Sequence, residues 1–429
     1  VLKGAGVLSR RVFNGLLGAT AMSAALSRPA LGGAKARIVV VGAGAGGATL
    51  AKVLAKGAPH AFAITLIEPE TSYVSCFHSN LVIGGFKPIG AITHSYDRLA
   101  SAYGIEIVRD RAIAIDRSRR EVRLSGGQSL PYDRLVVSPG IDLRYDSVPG
   151  WGKEHEEELP HGWKAGRQTV ILQDQLAAVP DGGLILILAP PNPYRCPAAP
   201  YERASVMACA LKAAGKSRCK IIILDPKDKF SMQALFQDGW DTYYPGMIEW
   251  INADMYDTID HVDPATRSVS TGFENYKNAA MINVIPAQMA GAVAANAALV
   301  DETGFCPVDP RNMTSIDDAN IQVIGDATVQ GDMPKSASAA SSHAKVAAHH
   351  LLSEIAGLAA GPASFANVCW SMINVDDTVK VGGTYEPKDG RITTIESFVS
   401  QLDETPEIRR QTQQEGVVWY NEIMTDILG

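Results

Sequence analysis

Three glycines, Gly42, Gly44 and Gly47, lie between a β-branched run, Arg37-Ile38-Val39-Val40-Val41, and residues 48–56, whose composition is helical. Strand, glycine turn and helix with G-x-G-x-x-G spacing suit a pyrophosphate. The first glycine makes the tight turn, the second lets backbone approach the phosphates, and the third lets helix pack closely on strand. Free N–H groups and the dipole at the helix N-terminus then hold the negative charge. Spacing alone is weak evidence, but Ala63-Ile64-Thr65-Leu66-Ile67 supplies a second strand that ends in Glu68, 21 residues after Gly47. A carboxylate there is placed to accept hydrogen bonds from an adenosine ribose; the plainer reading is a solvated strand end.

Far downstream, Ile321-Gln322-Val323-Ile324 is another strand, ending in Gly325-Asp326. Such a pair is common in turns. Coupled to the glycine fingerprint nearly 280 residues earlier, it resembles the motif of two-dinucleotide-fold flavoproteins whose Asp binds the ribityl chain of FAD. FAD rather than NAD is therefore expected at the first site. Met333-Pro334-Lys335-Ser336 and an Ala/Ser-rich helical stretch follow. The positive end of that helix would face the flavin and stabilise an anionic reduced ring. Lys335 either adds a charge there or is a solvated N-terminal residue.

The middle of the chain reads as a second nucleotide fold that has lost its nucleotide. Tyr132-Asp133-Arg134-Leu135-Val136-Val137-Ser138-Pro139-Gly140 resembles a crossover between domains, and Leu184-Ile185-Leu186-Ile187-Leu188 stands as the next domain's first strand. Glycines should follow, yet the chain continues Pro190-Pro191-Asn192-Pro193-Tyr194-Arg195-Cys196-Pro197. Prolines and bulky side chains cannot make the turn that admits a pyrophosphate, so no pyridine nucleotide is expected. The turn displays a cysteine instead, which points to sulfur chemistry. A later strand, Lys220 to Asp225, fits the same βαβ plan.

At 429 residues the chain calls for two or three domains and can bury a large cofactor. With 46% hydrophobic and 20% charged residues it has globular composition, and no basic patch argues for nucleic acid. The first 33 residues hold Lys3, Arg10, Arg11 and Arg28 and no acid, so the rest carries −11 against −7 for the whole. Such a body attracts basic partners at long range. Ser9-Arg10-Arg11-Val12-Phe13, the apolar residues 15–26 and the small residues 30–36 resemble a twin-arginine export signal over residues 1–35, with a frayed amphipathic N-terminus as the alternative. The mature protein is accordingly expected in the periplasm, without a transmembrane span: residues 15–26 are too few, and residues 278–300 too polar and Leu-poor. The cysteines Cys76, Cys196, Cys209, Cys219, Cys306 and Cys369 form no C-x-x-C, so neither a zinc ribbon nor a haem-attachment motif is present, and no metal site is expected.

Five separated segments resemble the flavoprotein subunit of flavocytochrome c sulfide dehydrogenase, within the sulfide:quinone oxidoreductase-like group. They are Tyr194-Arg195-Cys196-Pro197 with Pro200-Tyr201-Glu202-Arg203-Ala204-Ser205, Ser75-Cys76-Phe77-His78-Ser79-Asn80, Cys306-Pro307-Val308-Asp309, Met333-Pro334-Lys335-Ser336 and Asn367-Val368-Cys369. The resemblance covers essentially the whole chain after the signal. It implies that Cys196 and Cys369 form a redox-active disulfide at the flavin, with Glu202 nearby, and that Cys76 carries FAD through a thioether. From composition alone Cys76 would read as a buried thiol. Glu202 either manages protons or pairs with Arg203 or Arg195. Cys209 and Cys219 match no role and read as core thiols.

The expected fold class is α/β, with two Rossmann-like dinucleotide-binding domains and a C-terminal interface domain. Residues 36–148 and 288–360 would bind FAD, 149–287 would form the second domain without an NAD site, and 361–429 would supply Cys369 and an interface. The implied activity is FAD-dependent oxidation of sulfide to sulfur or polysulfide, with electrons passed to a c-type cytochrome subunit that carries the haem. The alternative is a sulfide:quinone oxidoreductase, which would call for an apolar quinone channel.

Overall fold

A computed structural model of the chain describes residues 35–429, and the export-signal reading lies outside them. The β-branched run forms the strand Ala36–Val41, whose core residues Ile38, Val39 and Val40 are fully buried. It pairs in parallel with Phe62–Ile67 on one side and Arg134–Val137 on the other. Asp318–Val323 lies parallel to Arg134–Val137, which places the distant Gly-Asp strand in the same seven-stranded sheet. Strands buried on both faces read as continuous apolar runs, as Ala36–Val41 does from Ile38 on.

Register decides what meets at the sheet's edge. Val41 pairs with both Ile67 and Val137, and Val137 with Val323. Gly42, Glu68, Ser138 and the Gly325-Asp326 turn therefore leave the sheet at one carboxyl edge, the place where parallel α/β sheets bind ligands.

A second parallel sheet has the order Ile248–Asn252, Lys220–Asp225, Leu184–Leu188, Met281–Val284. Its first strand runs into the proline-rich turn and then the helix Ala199–Ala213, with Pro200 in the first turn, where its missing N–H costs nothing. Ile141–Leu143 and Gln288–Ala290 pair antiparallel, the two chain passages between the sheets.

The C-terminal part is a three-stranded antiparallel sheet, Phe365–Asn374, Asp377–Lys388 and Arg391–Val399, backed by the helix Pro406–Leu428. Its first strand packs on the helices Ala199–Ala213 and Ala337–Ala356, which brings Cys369 toward the proline-rich turn. The Ser336 hydroxyl caps Ala337–Ala356 by accepting from the Ala339 N–H at 3.0 Å, and Gly357 closes it with φ of 69°. No helix among the described residues is long and apolar enough to cross a membrane.

Candidate active site

The glycine turn has the geometry that its spacing predicts. Gly42 sits at φ of 92°, and a Cβ there would stand 2.3 Å from the Ser138 carbonyl oxygen. A Cβ at Gly47 would fall 1.9 Å from the Gly42 carbonyl oxygen, so only glycine lets the helix Gly47–Gly57 start this close to the turn. Around Gly44 nothing lies within 4 Å, which leaves the backbone approachable. Glu68 is no solvated strand end. Its Oε2 accepts from the Ala43 N–H at 2.9 Å and its Oε1 from the Glu70 N–H at 3.0 Å, fixing the carboxylate against the turn with lone pairs left for hydroxyl donors.

Across the edge, Gly325 adopts φ of 75° and Asp326 is buried. The Asp326 Oδ1 has no hydrogen-bond partner, an acceptor whose burial is costly unless a donor such as a ribityl hydroxyl meets it. Open backbone at Gly44, a positioned Glu68 and an orphaned Asp326 oxygen along one edge fit FAD. Lys335 is buried and not a solvated N-terminal residue: its Nζ donates to the Asp326 carbonyl at 3.0 Å and to the Thr328 carbonyl, and lies 3.9 Å from the Phe305 ring centroid. Burial pushes its ammonium down to about 8. It braces the Gly325-Asp326 turn through these two carbonyls. Cys306, fully buried nearby, is pushed up to about 12 by burial, and its backbone bonds to Ala327 and Val329 complete that brace.

All six cysteines are free thiols in this structure, so the disulfide that the resemblance implies is not formed here. Three thiols nevertheless converge. Cys196 takes a left-handed φ of 57°, a conformation that costs a non-glycine residue about 1–3 kcal/mol. The bond from its N–H to the Lys335 carbonyl at 2.9 Å holds it there. Burial raises the Cys196 thiol well above its ordinary value; Cys76 and Cys369 raise it further, while Arg195 pulls it down. Burial pushes Cys369 up to about 11, against hydrogen bonding from Ser336 and Asn367. Cys369 thus stands beside the capping residue of the helix Ala337–Ala356. Cys76 holds its loop through its carbonyl, which accepts from the Ser79 hydroxyl at 2.6 Å and N–H at 3.2 Å. Cys209 and Cys219 are buried elsewhere, as core thiols.

Glu202 pairs with neither arginine by hydrogen bond. Its Oε2 accepts from Asn80 Nδ2 at 2.8 Å and its Oε1 from the Met372 N–H at 3.0 Å, three residues along the strand from Cys369. Burial lifts its carboxyl above the ordinary range despite those bonds, and its charge raises the Cys369 thiol. Such a group suits proton exchange beside a thiol. Arg203 is fully buried and committed elsewhere: it donates to Asn80 Oδ1 at 3.0 Å, Asn283 Oδ1 at 2.7 Å and the carbonyls of His161 and Gly162 at 3.0 and 2.8 Å. Removing a charge from water costs several kcal/mol, which these four bonds offset. Arg203 is therefore a pin that fixes the helix carrying Glu202.

In the second sheet the acid that ends the strand Lys220–Asp225 is engaged by side chains. Asp225, at the end of its strand, accepts from the Tyr201 hydroxyl and from Trp250 Nε1 at 2.8 Å, and pairs with Lys227. Tyr201 stacks on Phe230 with centroids 3.7 Å apart. Lys227 Nζ also donates to the Pro190 carbonyl at 2.6 Å.

Two family models match across these elements. One described as sulfide dehydrogenase (flavocytochrome c) flavoprotein chain, central, matches residues 169–286, and one described as flavocytochrome c sulphide dehydrogenase, flavin-binding, matches residues 361–428. A third, pyridine nucleotide-disulphide oxidoreductase, matches residues 36–175. The chain is 52% identical over 46 residues to a sulfide dehydrogenase (flavocytochrome c) flavoprotein chain from Chlorobaculum thiosulfatiphilum, a span that is 11% of this chain and 94% of that relative. Its fold is similar to that of the sulfide:quinone oxidoreductase of Aquifex aeolicus, with TM-score 0.71, 18% identity and 92% of each chain covered. It is also similar to that of an NAD-dependent persulfide reductase from A. fulgidus, with TM-score 0.62, 15% identity, and 89% of this chain and 77% of that one covered.

Proposed function

We propose a reaction for this chain, which belongs to the family of flavocytochrome c sulfide dehydrogenase flavoprotein chains and is a flavin-binding oxidoreductase. It oxidises sulfide at the Cys196–Cys369 pair and delivers electrons to a c-type cytochrome subunit that carries the haem. The observation that supports this most is that the Cys196 N–H bonds to the Lys335 carbonyl while Cys369 lies against Asn367, the partner of the adjacent Ser336, so the two thiols flank one turn of chain next to the orphaned Asp326 oxygen.

In the oxidised protein Cys196 and Cys369 form a disulfide. Hydrosulfide attacks one sulfur, an S–S bond forms to the incoming atom, the old S–S bond breaks, and the other cysteine leaves as thiolate. A second hydrosulfide attacks the outer sulfur of the persulfide and carries it away as a hydrodisulfide, leaving both cysteines reduced, and the disulfide re-forms by giving their two electrons to the flavin that the chain would hold. Glu202, held by Asn80 and the Met372 N–H, takes up and returns the protons. The Gly42–Gly47 turn, Glu68 and Asp326 would hold FAD, and Cys76 would bind it covalently; FAD supplies a two-electron acceptor that also releases electrons singly. The engagement of the Asp225 carboxylate by Tyr201 and Trp250 supports the reading that no pyridine nucleotide takes part. The export-signal motif supports a periplasmic site of action.

Two measurements test this reading. Digestion of the native protein is expected to yield a peptide around Cys76 that carries the flavin; a flavin released entirely by denaturation contradicts covalent attachment. Under anaerobic conditions sulfide should bleach the flavin at least about a hundredfold faster than NADH or NADPH, the difference a single positioned chemical group makes. Comparable rates with NADH would overturn the reading. Quinone reduction by the isolated flavoprotein would favour the alternative acceptor.

A further inference from the structure

Arg195 precedes the displayed cysteine and points its charge into the same space. Its backbone N–H donates to Gln288 Oε1 at 2.9 Å, and its Nη2 to the Trp163 carbonyl. Among the described residues that is the one hydrogen bond its side chain makes, of the five that a guanidinium can donate. Nη1 stands 3.6 Å from Asp326 Oδ2, beyond hydrogen-bond reach, so the contact is electrostatic. The two residues that Arg195 touches carry unused donors of their own. Gln288 Nε2 and Trp163 Nε1 are buried without partners among the described residues, in residues only 3% and 4% exposed. Buried orphaned donors are costly, and an acceptor satisfies them. The other cations nearby are engaged: Lys335 by backbone carbonyls, Arg203 by four acceptors.

We infer that Arg195, with the Gln288 amide and the Trp163 indole N–H, binds the small sulfur anion, hydrosulfide or a short polysulfide, that reacts at Cys196. This rests on the reading that Cys196 receives sulfide. The positive charge concentrates the anion, and the two neutral donors fix it without neutralising it. Neutral hydrogen sulfide gains nothing from the arrangement, so the site selects the reactive form.

The test uses the full-length flavin-loaded chain with its cysteines reduced, and compares alkylation of Cys196 by anionic iodoacetate and neutral iodoacetamide, read on the Cys196 peptide. Arg195→Gln is expected to lower the iodoacetate-to-iodoacetamide ratio about tenfold, and Arg195→Lys to restore most of it, because one charge a few ångströms away is worth that much in a partly buried site. The KM for sulfide should rise by a similar factor. An unchanged ratio in Arg195→Gln overturns the proposal. Should that variant lose flavin, protection decides: thiocyanate should slow iodoacetamide modification of wild-type Cys196, and no slowing overturns it. Failure of the underlying reading looks different, as sulfide-dependent flavin reduction that survives Cys196→Ser.

Discussion

Replacing either Cys196 or Cys369 with serine is expected to lower sulfide-dependent flavin reduction by about a thousandfold or more, with FAD content unchanged. Neither thiol belongs to the elements that hold the cofactor, which are the Gly42–Gly47 turn, Glu68 and the Asp326 turn. Serine keeps the size of the side chain and cannot form a disulfide or a persulfide. Because the two sulfurs act as one unit, the double variant should be no slower than either single one, a non-additivity that two independent binding residues would not show. Anaerobic stopped-flow absorbance checks both points. Near-normal rates in one single variant would remove that cysteine from the chemistry.

Gly47→Ala should abolish flavin binding and destabilise the fold, whereas Gly44→Ala should weaken flavin binding alone. At Gly47 the added methyl would meet the Gly42 carbonyl oxygen at 1.9 Å. Neither the helix Gly47–Gly57 nor the buried strand before it can yield, so the cost is about 3 kcal/mol or more. At Gly44 nothing stands within 4 Å, so the methyl costs the folded chain little. It occupies the space through which phosphate would approach the backbone, and flavin affinity should fall at least about tenfold, the equivalent of one lost polar contact. Thermal denaturation and flavin content after purification separate the two outcomes. A stable, fully flavinylated Gly47→Ala would contradict the role of the turn.

The parts of this site that were legible in the sequence are those set by local backbone geometry. Gly42, Gly44, Gly47 and Gly325 are needed for turns and close approaches that any glycine spacing advertises, and strands buried on both faces announce themselves as apolar runs. What contacts cross the fold was not legible. Glu202 stands next to Arg203 in the chain, so an ion pair was a natural expectation; its partners, Asn80 and the Met372 N–H, come from 122 and 170 residues away. Lys335 precedes a helix, which suggested a charge for the flavin or for water. The carbonyls of Asp326 and Thr328 take its ammonium out of water, which excludes the second. The bulky residues after Ala189 hinted at a cleft without nucleotide, but only the fold shows Asp225 engaged by Tyr201, Trp250 and Lys227. Arg195 stood out in the sequence only within Tyr194-Arg195-Cys196-Pro197 and as a possible partner of Glu202, since its neighbours Gln288, Trp163 and Asp326 lie on three separate segments.

The central claim is that sulfide is oxidised through a cysteine sulfur, not by direct contact with the flavin. The most direct measurement mixes the oxidised native complex with less than one equivalent of sulfide, quenches with acid and alkylating agent within the first turnover, and maps the peptides by mass. The account predicts one added sulfur atom, as a trapped persulfide, on the Cys196 or Cys369 peptide, appearing before the cytochrome haem is reduced. Flavin bleaching that runs to completion while both cysteine peptides stay free of added sulfur would contradict it.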